Sequence, residues 1–196
     1  MESFLTLQGE GAYTGKNAFF LRLAGCDVGC VWCDVKESWT VGEEQHKSYD
    51  WIREKLKTEA KGNIVVVTGG EPCIYDLNKL TTVIKEEGKR THIETSGAYE
   101  ITGDWDWVTL SPKKFKEPVA SSYQKCDELK VVVFHPSDIA WAQKHAEQIQ
   151  NKASVRLLLQ PEWSKKEKMT PLIIDFIYDN PEWGLSLQTH KYIGIE

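Results

Sequence analysis

Three cysteines, Cys26, Cys30 and Cys33, fall within eight positions in the stretch CDVGCVWCD. The chain has five cysteines, an odd number, and no export signal precedes them, so paired disulfides explain the cluster poorly. Metal-ligating thiolates explain it better. The spacing C-x3-C-x2-C suits a four-iron, four-sulfur cluster in which thiolates hold three irons and the fourth is left open to bind and activate a ligand. The competing reading is a zinc site completed by a histidine or by Cys126, since zinc ligands two to four residues apart are common. On the C-terminal side the nearest histidine, His46, lies thirteen residues beyond Cys33. Cys73 and Cys126 stand alone among apolar neighbours and read as small buried hydrophobes without chemistry.

A second group is TGGEP, residues 68–72. Glycines 69 and 70 let a backbone come close to a ligand, Glu71 offers an acceptor for an ammonium group, and Pro72 fixes the turn. By itself GGEP reads as an ordinary tight turn; the nearby cysteine loop is what favours a site. Arg22 interrupts an apolar run, and because an unpaired guanidinium is seldom buried it reads as functional. Lys113 is a suitable partner for a carboxylate, although a lysine after a strand is most often only solvated.

These residues need elements to position them. Apolar, β-branched runs recur at 18–23, 63–68, 91–95, 106–110, 128–134 and 154–160, and each predicts a strand mostly buried on both faces. Helical periods lie between several of them. One covers 48–60, with Gly62 as its C-terminal cap; another is capped by Asp76 and ended by Gly88; a third starts at Ser137. A fourth starts at Thr170 with Pro171 in its first turn and stops by Pro181. Segment 111–126 has no helical period, so at least one crossover is irregular. Alternating strands and helices predict an α/β fold with parallel βαβ units. In such folds ligands gather at the carboxyl ends of the strands. The cysteine loop, TGGEP, ETSG (94–97), SPK (111–113) and QPEW (160–163) all fall there and would share one rim.

Length and composition set the outer limits. A chain of 196 residues with 41% hydrophobic content can bury a full core but is short for two domains, so one domain over 1–196 is expected. No apolar run approaches a membrane span, and MESFLTLQGEG lacks the basic and apolar regions of a signal peptide, which predicts a cytoplasmic protein. The 24 basic and 29 acidic residues include no basic stretch interleaved with aromatics, which argues against a nucleic-acid partner.

With those residues in view, C-x3-C-x2-C after one strand and GGE after the next resemble the radical S-adenosylmethionine enzymes. The stretches ESFLTLQGEGAYTGKNAFFLRLAGCDVGCVWCD, TGGEP, ETSG, SPK, LQP and LQTHKYIGIE, in that order, resemble the 7-carboxy-7-deazaguanine synthase family over nearly the whole chain. The resemblance implies an incomplete (β/α) barrel with abbreviated crossovers, a homodimer, and a flavodoxin- or ferredoxin-type reductant. The implied reaction is the ring contraction of 6-carboxy-5,6,7,8-tetrahydropterin to 7-carboxy-7-deazaguanine with loss of ammonia, on the route to queuosine. A 5'-deoxyadenosyl radical would start it by taking hydrogen from C6. The resemblance assigns Cys26, Cys30 and Cys33 to the 4Fe-4S cluster. Trp32, Asp34, Gly69, Gly70, Glu71, Ser111, Lys113 and Gln160 would surround S-adenosylmethionine. Gln8, Gly9, Glu10, Arg22, Thr68, His190 and the terminal carboxylate of Glu196 would surround the substrate, with Arg22 forked onto its carboxylate. One position departs from the pattern. The family commonly has Thr or Ser after Cys-Asp, whose hydroxyl helps hold a magnesium ion beside the substrate, and this chain has Val35, so either the metal is held by water, backbone and substrate alone, or it is dispensable, or the chemistry differs.

Rival readings are an activase for a glycyl-radical enzyme, a zinc-binding module without catalysis, and an electron carrier. QGEG and the terminal QTHK favour the small-molecule enzyme over the activase, and a carrier normally satisfies every iron with protein ligands.

Overall fold

The computed structural model describes residues 1–195. Eight strands form one open sheet in chain order: β1 (Glu2–Leu7), β2 (Asn17–Leu23), β3 (Ile64–Gly69), β4 (Arg90–Thr95), β5 (Trp107–Leu110), β6 (Glu128–Val133), β7 (Arg156–Pro161) and β8 (Trp183–Leu185). β1 runs antiparallel to β2 and every later neighbour is parallel. The outermost strands β1 and β8 are the free edges, so the sheet is a barrel left incomplete. The α-helices are α1 (Tyr49–Thr58), α2 (Asn78–Glu86), α3 (Ala120–Gln124), α4 (Ser137–Glu147), α5 (Lys166–Asp179) and α6 (Thr189–Ile193), and short 3-10 turns complete the elements of the described residues. No helix joins β4 to β5, and the crossover from β5 to β6 holds only the five-residue α3.

The strands form because their β-branched and aromatic side chains fill both faces of a pleated surface. On the outer face Phe19, Leu21, Val65, Val67 and Ile93 pack with Ile52, Leu56 and Ile84 of α1 and α2. Leu129, Val131 and Leu159 pack with Ala142 of α4 and Ile173 of α5. Each such side chain, fully buried, contributes about 1.5–3 kcal/mol. The inner face is apolar only low down, where Ala18, Phe20, Ile64 and Val66 cluster. Toward the carboxyl ends it turns polar, because the same period-two alternation puts Arg22, Thr68, Glu94, Thr109, Glu128, Lys130 and Gln160 inward. Register aligns them: Arg22 is level with Thr68, Glu94 with Thr109, and Thr109 with Glu128.

Several local expectations are corrected. α1 ends at Thr58 with Glu59 as its cap, three residues before Gly62. Asp76 accepts from the Asn78 N–H at 2.9 Å, but Leu77 holds the cap position of α2. α5 starts at Lys166, ahead of Thr170, so Pro171 lies inside the helix. The missing Pro171 N–H forgoes a bond to the Glu167 carbonyl, and Lys-Glu-Lys-Met, all good helix formers, precede it. The N-terminal stretch, where no strand is predicted from the sequence, supplies β1.

The hairpin loop between β1 and β2 reaches over the inner face. Its ends are fastened by Gln8 N–H to the Lys16 carbonyl (2.8 Å) and Gly15 N–H to the Gln8 carbonyl (2.7 Å). Its tip crosses to the far strands: the Ala12 N–H donates to Glu128 (2.7 Å) and the Gly11 N–H to the Ser186 hydroxyl (3.0 Å). Thr189 at the start of α6 donates to the Gly9 carbonyl from its N–H (2.9 Å) and its hydroxyl (3.0 Å). The loop therefore bridges the gap that the open sheet leaves.

Beneath it lies His92, 3% exposed, edge-on to the Tyr13 ring at 4.5 Å. Its Nε2 has no hydrogen-bond partner among the described residues. Burial, with Arg90 nearby, pushes its pKa down to about 4 from the usual 6.5. The unfolded chain then takes up a proton between pH 6.5 and 4 that the folded protein refuses, so stability falls as pH falls through that window. Between about pH 7 and about pH 5 this group should account for about 2 kcal/mol. Urea melts at the two pH values should show His92→Leu losing less stability than the wild type by about that amount.

Candidate active site

The cysteine loop leaves β2 and is tied down by backbone. The Gly25 N–H donates to the Ser38 carbonyl (2.7 Å), Cys26 N–H to Trp39 (3.2 Å) and Cys33 N–H to Cys30 (3.1 Å). Asp27 receives Lys116 Nζ at 2.7 Å and the Tyr99 hydroxyl, which joins the loop to the segment after β5. Burial pushes the Cys30 thiol up to about 11 and also raises that of Cys26.

The glycine pair after β3 packs on this loop. A Cβ at Gly69, where φ is +123°, would lie 2.2 Å from the Leu23 carbonyl oxygen, and one at Gly70 would lie 2.2 Å from that of Gly25. Bonds from Gly70 N–H to Leu23 (2.8 Å) and Glu71 N–H to Gly25 (2.9 Å) complete the strap. The close approach that requires glycine is thus made to the cysteine loop's own backbone. Glu71 is also corrected. Its Oε1 accepts from Cys73 N–H (3.0 Å) and the Thr95 hydroxyl (2.5 Å), and its Oε2 from the Ser96 N–H (2.8 Å) and hydroxyl (2.5 Å). Four donors fill the acceptor sites of a carboxylate, so the side chain joins the ends of β3 and β4 and keeps nothing for a ligand's ammonium.

The floor is charged. Lys130 is ion-paired with Glu10, whose other oxygen accepts from Gln188 at 2.8 Å. Burial alone would raise the Glu10 pKa, and the Lys130 ammonium overrides it and holds the carboxyl well below its usual range. Gln8 donates to Glu94 at 2.8 Å and accepts from the Glu10 N–H at 3.0 Å. Gln160 accepts from the Ser186 hydroxyl at 2.8 Å.

Gln8, Glu10, Glu94, Lys130, Gln160 and Gln188 border one cavity of about 390 Å³. Cys26, Cys30 and Cys33 are at its wall with Trp32 and Asp34; Thr68, Gly69, Gly70 and Glu71 follow. Ser111 and Lys113 come from the segment after β5, where Lys113 Nζ donates to the Ser111 hydroxyl at 2.6 Å and lies 5.6 Å from the Trp32 ring centre. Arg22 lies over Phe4 at 4.8 Å and donates to Glu2 at 3.1 Å. Gly9 meets His190 so closely that a Cβ there would lie 2.1 Å from Nδ1, which explains the glycine. Glu196 lies outside the described residues. The structure thus gathers at the cavity every other residue assigned above to the cluster, the cofactor or the substrate; it adds Lys130, and it gives individual places to Glu94, Gln188 and Lys191, which the sequence had offered only within ETSG and QTHK. The signal for Lys130 was a charge at an inward position of a largely apolar strand, and for Glu94 its place in the ETSG segment at a strand's carboxyl end.

The Radical SAM superfamily profile matches residues 21–115. A 7-carboxy-7-deazaguanine synthase of Flavobacterium psychrophilum is 52% identical over 195 residues, covering 100% of this chain and 91% of its own. That of Synechocystis sp. is 46% identical, covering 99% and 91%. The crystal structure of QueE from Escherichia coli matches with a TM-score of 0.86 at 34% identity, over 96% of this chain and 92% of that one. The chain belongs to the 7-carboxy-7-deazaguanine synthase family.

Radical SAM enzymes use a 4Fe-4S cluster and S-adenosylmethionine, and the residues present fit both. Three thiols border the cavity, while Cys73 and Cys126 are packed in the apolar cores. A magnesium site of the family kind fits poorly. Val35 has no side-chain oxygen, its carbonyl already accepts from the Ser38 hydroxyl at 2.7 Å, and Asp34 receives Lys191 Nζ at 2.7 Å.

Proposed function

We propose that the protein is a radical S-adenosylmethionine carbon-nitrogen lyase that converts 6-carboxy-5,6,7,8-tetrahydropterin into 7-carboxy-7-deazaguanine with release of ammonia. The observation that carries this reading is the meeting, around one cavity, of the three-cysteine loop with the Gln8–Glu10 loop, Arg22 and His190. When bound, the cluster and S-adenosylmethionine supply a carbon radical able to take hydrogen from an unactivated carbon.

The chain's own residues bind, orient and exclude water. A flat pterin with a guanidine-like edge needs acceptors on one side, and Glu10 and Glu94 are carboxylates placed there by the hairpin loop and β4. Arg22 offers a forked donor for the substrate's carboxylate, and Gln8 retains an amide proton beyond its bond to Glu94. Trp32, Ser111, Lys113 and Gln160 line the part of the cavity proposed for S-adenosylmethionine. Thr95 and Ser96 anchor Glu71, which fixes the Gly69–Gly70 strap beside the thiols.

The reading includes a single domain, a cytoplasmic homodimer, and electron delivery by a flavodoxin- or ferredoxin-type protein. Family resemblance supports the homodimer and the reductant, and the chain's length supports the single domain; none of the described helices is long and apolar enough to cross a membrane. The test is anaerobic reconstitution followed by turnover with reductant, S-adenosylmethionine and the carboxypterin, with the product identified by mass. Formation of 7-carboxy-7-deazaguanine is expected. Release of 5'-deoxyadenosine without it would overturn the substrate and leave the reaction class standing, and colourless protein holding one zinc per chain would overturn both.

A further inference from the structure

Asp34 directly follows the third cluster cysteine, and Val35 leaves it without a neighbouring hydroxyl. The positive charge that faces Asp34 comes from α6, at the opposite end of the chain. Lys191 Nζ donates to Asp34 Oδ2 at 2.7 Å and to Gln188 Oε1 at 3.1 Å, and it lies 5.5 Å from the Trp163 ring centre. The Lys191 side chain is 22% exposed and borders the cavity together with Asp34 and Gln188. Gln188 in turn donates to Glu10 at 2.8 Å, so the lysine is held in the network that contains the proposed substrate acceptors.

An ammonium has three donors. Two go to Asp34 and Gln188, which leaves one for an acceptor in the cavity. A substrate carboxylate placed beside Asp34 would meet a like charge unless a cation stands between them, and a fixed ammonium meets that need without a metal. We infer that Lys191 is a substrate-binding residue, a second cation beside Arg22, whose ammonium meets the substrate carboxylate next to Asp34, so that turnover requires no magnesium. This rests on the reaction proposed above.

The test uses the reconstituted holoenzyme, freed of magnesium as checked by metal analysis, and compares KM and kcat for the carboxypterin with and without millimolar magnesium chloride. Wild-type turnover should agree within about twofold in the two conditions. Lys191→Met should raise the KM for the carboxypterin about 10- to 100-fold, the effect of losing a charge-assisted hydrogen bond, with little change in the KM for S-adenosylmethionine. Lys191→Arg should recover most of the loss. Wild-type product formation that depends on magnesium would overturn the inference and leave the reaction intact, as would an unchanged KM in Lys191→Met. Failure of the wild type to form product in either condition would overturn the substrate, and this inference with it.

Discussion

Lys130→Met should destabilise the fold by about 3–5 kcal/mol and abolish turnover, because it removes the cation from a buried group of acids. The Lys130 side chain is 4% exposed and pairs with Glu10, which is 17% exposed. Burial by itself would lower the lysine's pKa, but Glu10, Glu94 and Glu128 together raise it above its ordinary value. Without the ammonium these carboxylates are left close together in a poorly hydrated space, and some must take up a proton or pull the hairpin loop away from the inner face. The wild-type Glu10 pKa is depressed, so its contribution is present above the unfolded carboxyl's value and lost as pH falls through the folded one. Urea denaturation at neutral pH checks the magnitude, and a loss below about 1 kcal/mol would mean that this network does not hold the floor together.

Glu71→Ala is the second large effect. Four hydrogen bonds to one carboxylate disappear, and the buried Cys73 and Ser96 amides are left without acceptors. Bonds to a charged group contribute about 1.5–3 kcal/mol each and do not add, so a total of about 3–5 kcal/mol is expected. The Gly69–Gly70 strap is no longer anchored to β4, and S-adenosylmethionine should bind roughly tenfold more weakly or worse, as when one charge-assisted hydrogen bond is pulled out of line. Equilibrium binding of S-adenosylmethionine to the reconstituted variant is the measurement. Unchanged affinity would show that the strap is held by its backbone bonds alone. Glu71→Gln should fall between, since its amide would turn two protons toward groups that themselves donate.

The central strands were legible because β2 to β7 are apolar, β-branched runs bounded by turn residues. β1 and β8 were not. β1 is a half-exposed edge whose apolar residues Phe4, Leu5 and Leu7 do not alternate as a strand's would, and β8 has only three residues. The start of α5 was hidden because proline favours a helix's first turn, and here it lies a turn further in. In the site, the cysteines and glycines were readable because few other residues do what they do. Glu94 and Lys130 were hidden by reading their strands as buried on both faces, when Glu128 and Lys130 two apart already marked an inner polar row. Glu71 was recognised as important for the wrong reason, since sequence spacing cannot tell a ligand from the brace behind it. Lys191 was read only as part of the terminal QTHK, and its pairing stayed hidden because its partner Asp34 lies 157 positions away.

The hairpin loop that spans the open sheet has a consequence for the order in which the protein is built. Thr189 grips Gly9 across 180 positions of sequence, so one wall of the chamber waits until Thr189 has been synthesised. A partly made chain leaving the ribosome presents its thiols on an unroofed half-barrel. Pairings at such separations are also the slow ones to form. Iron and sulfide delivered early would meet open thiols, whereas the pterin chamber comes into being only when the final helix closes on the first loop.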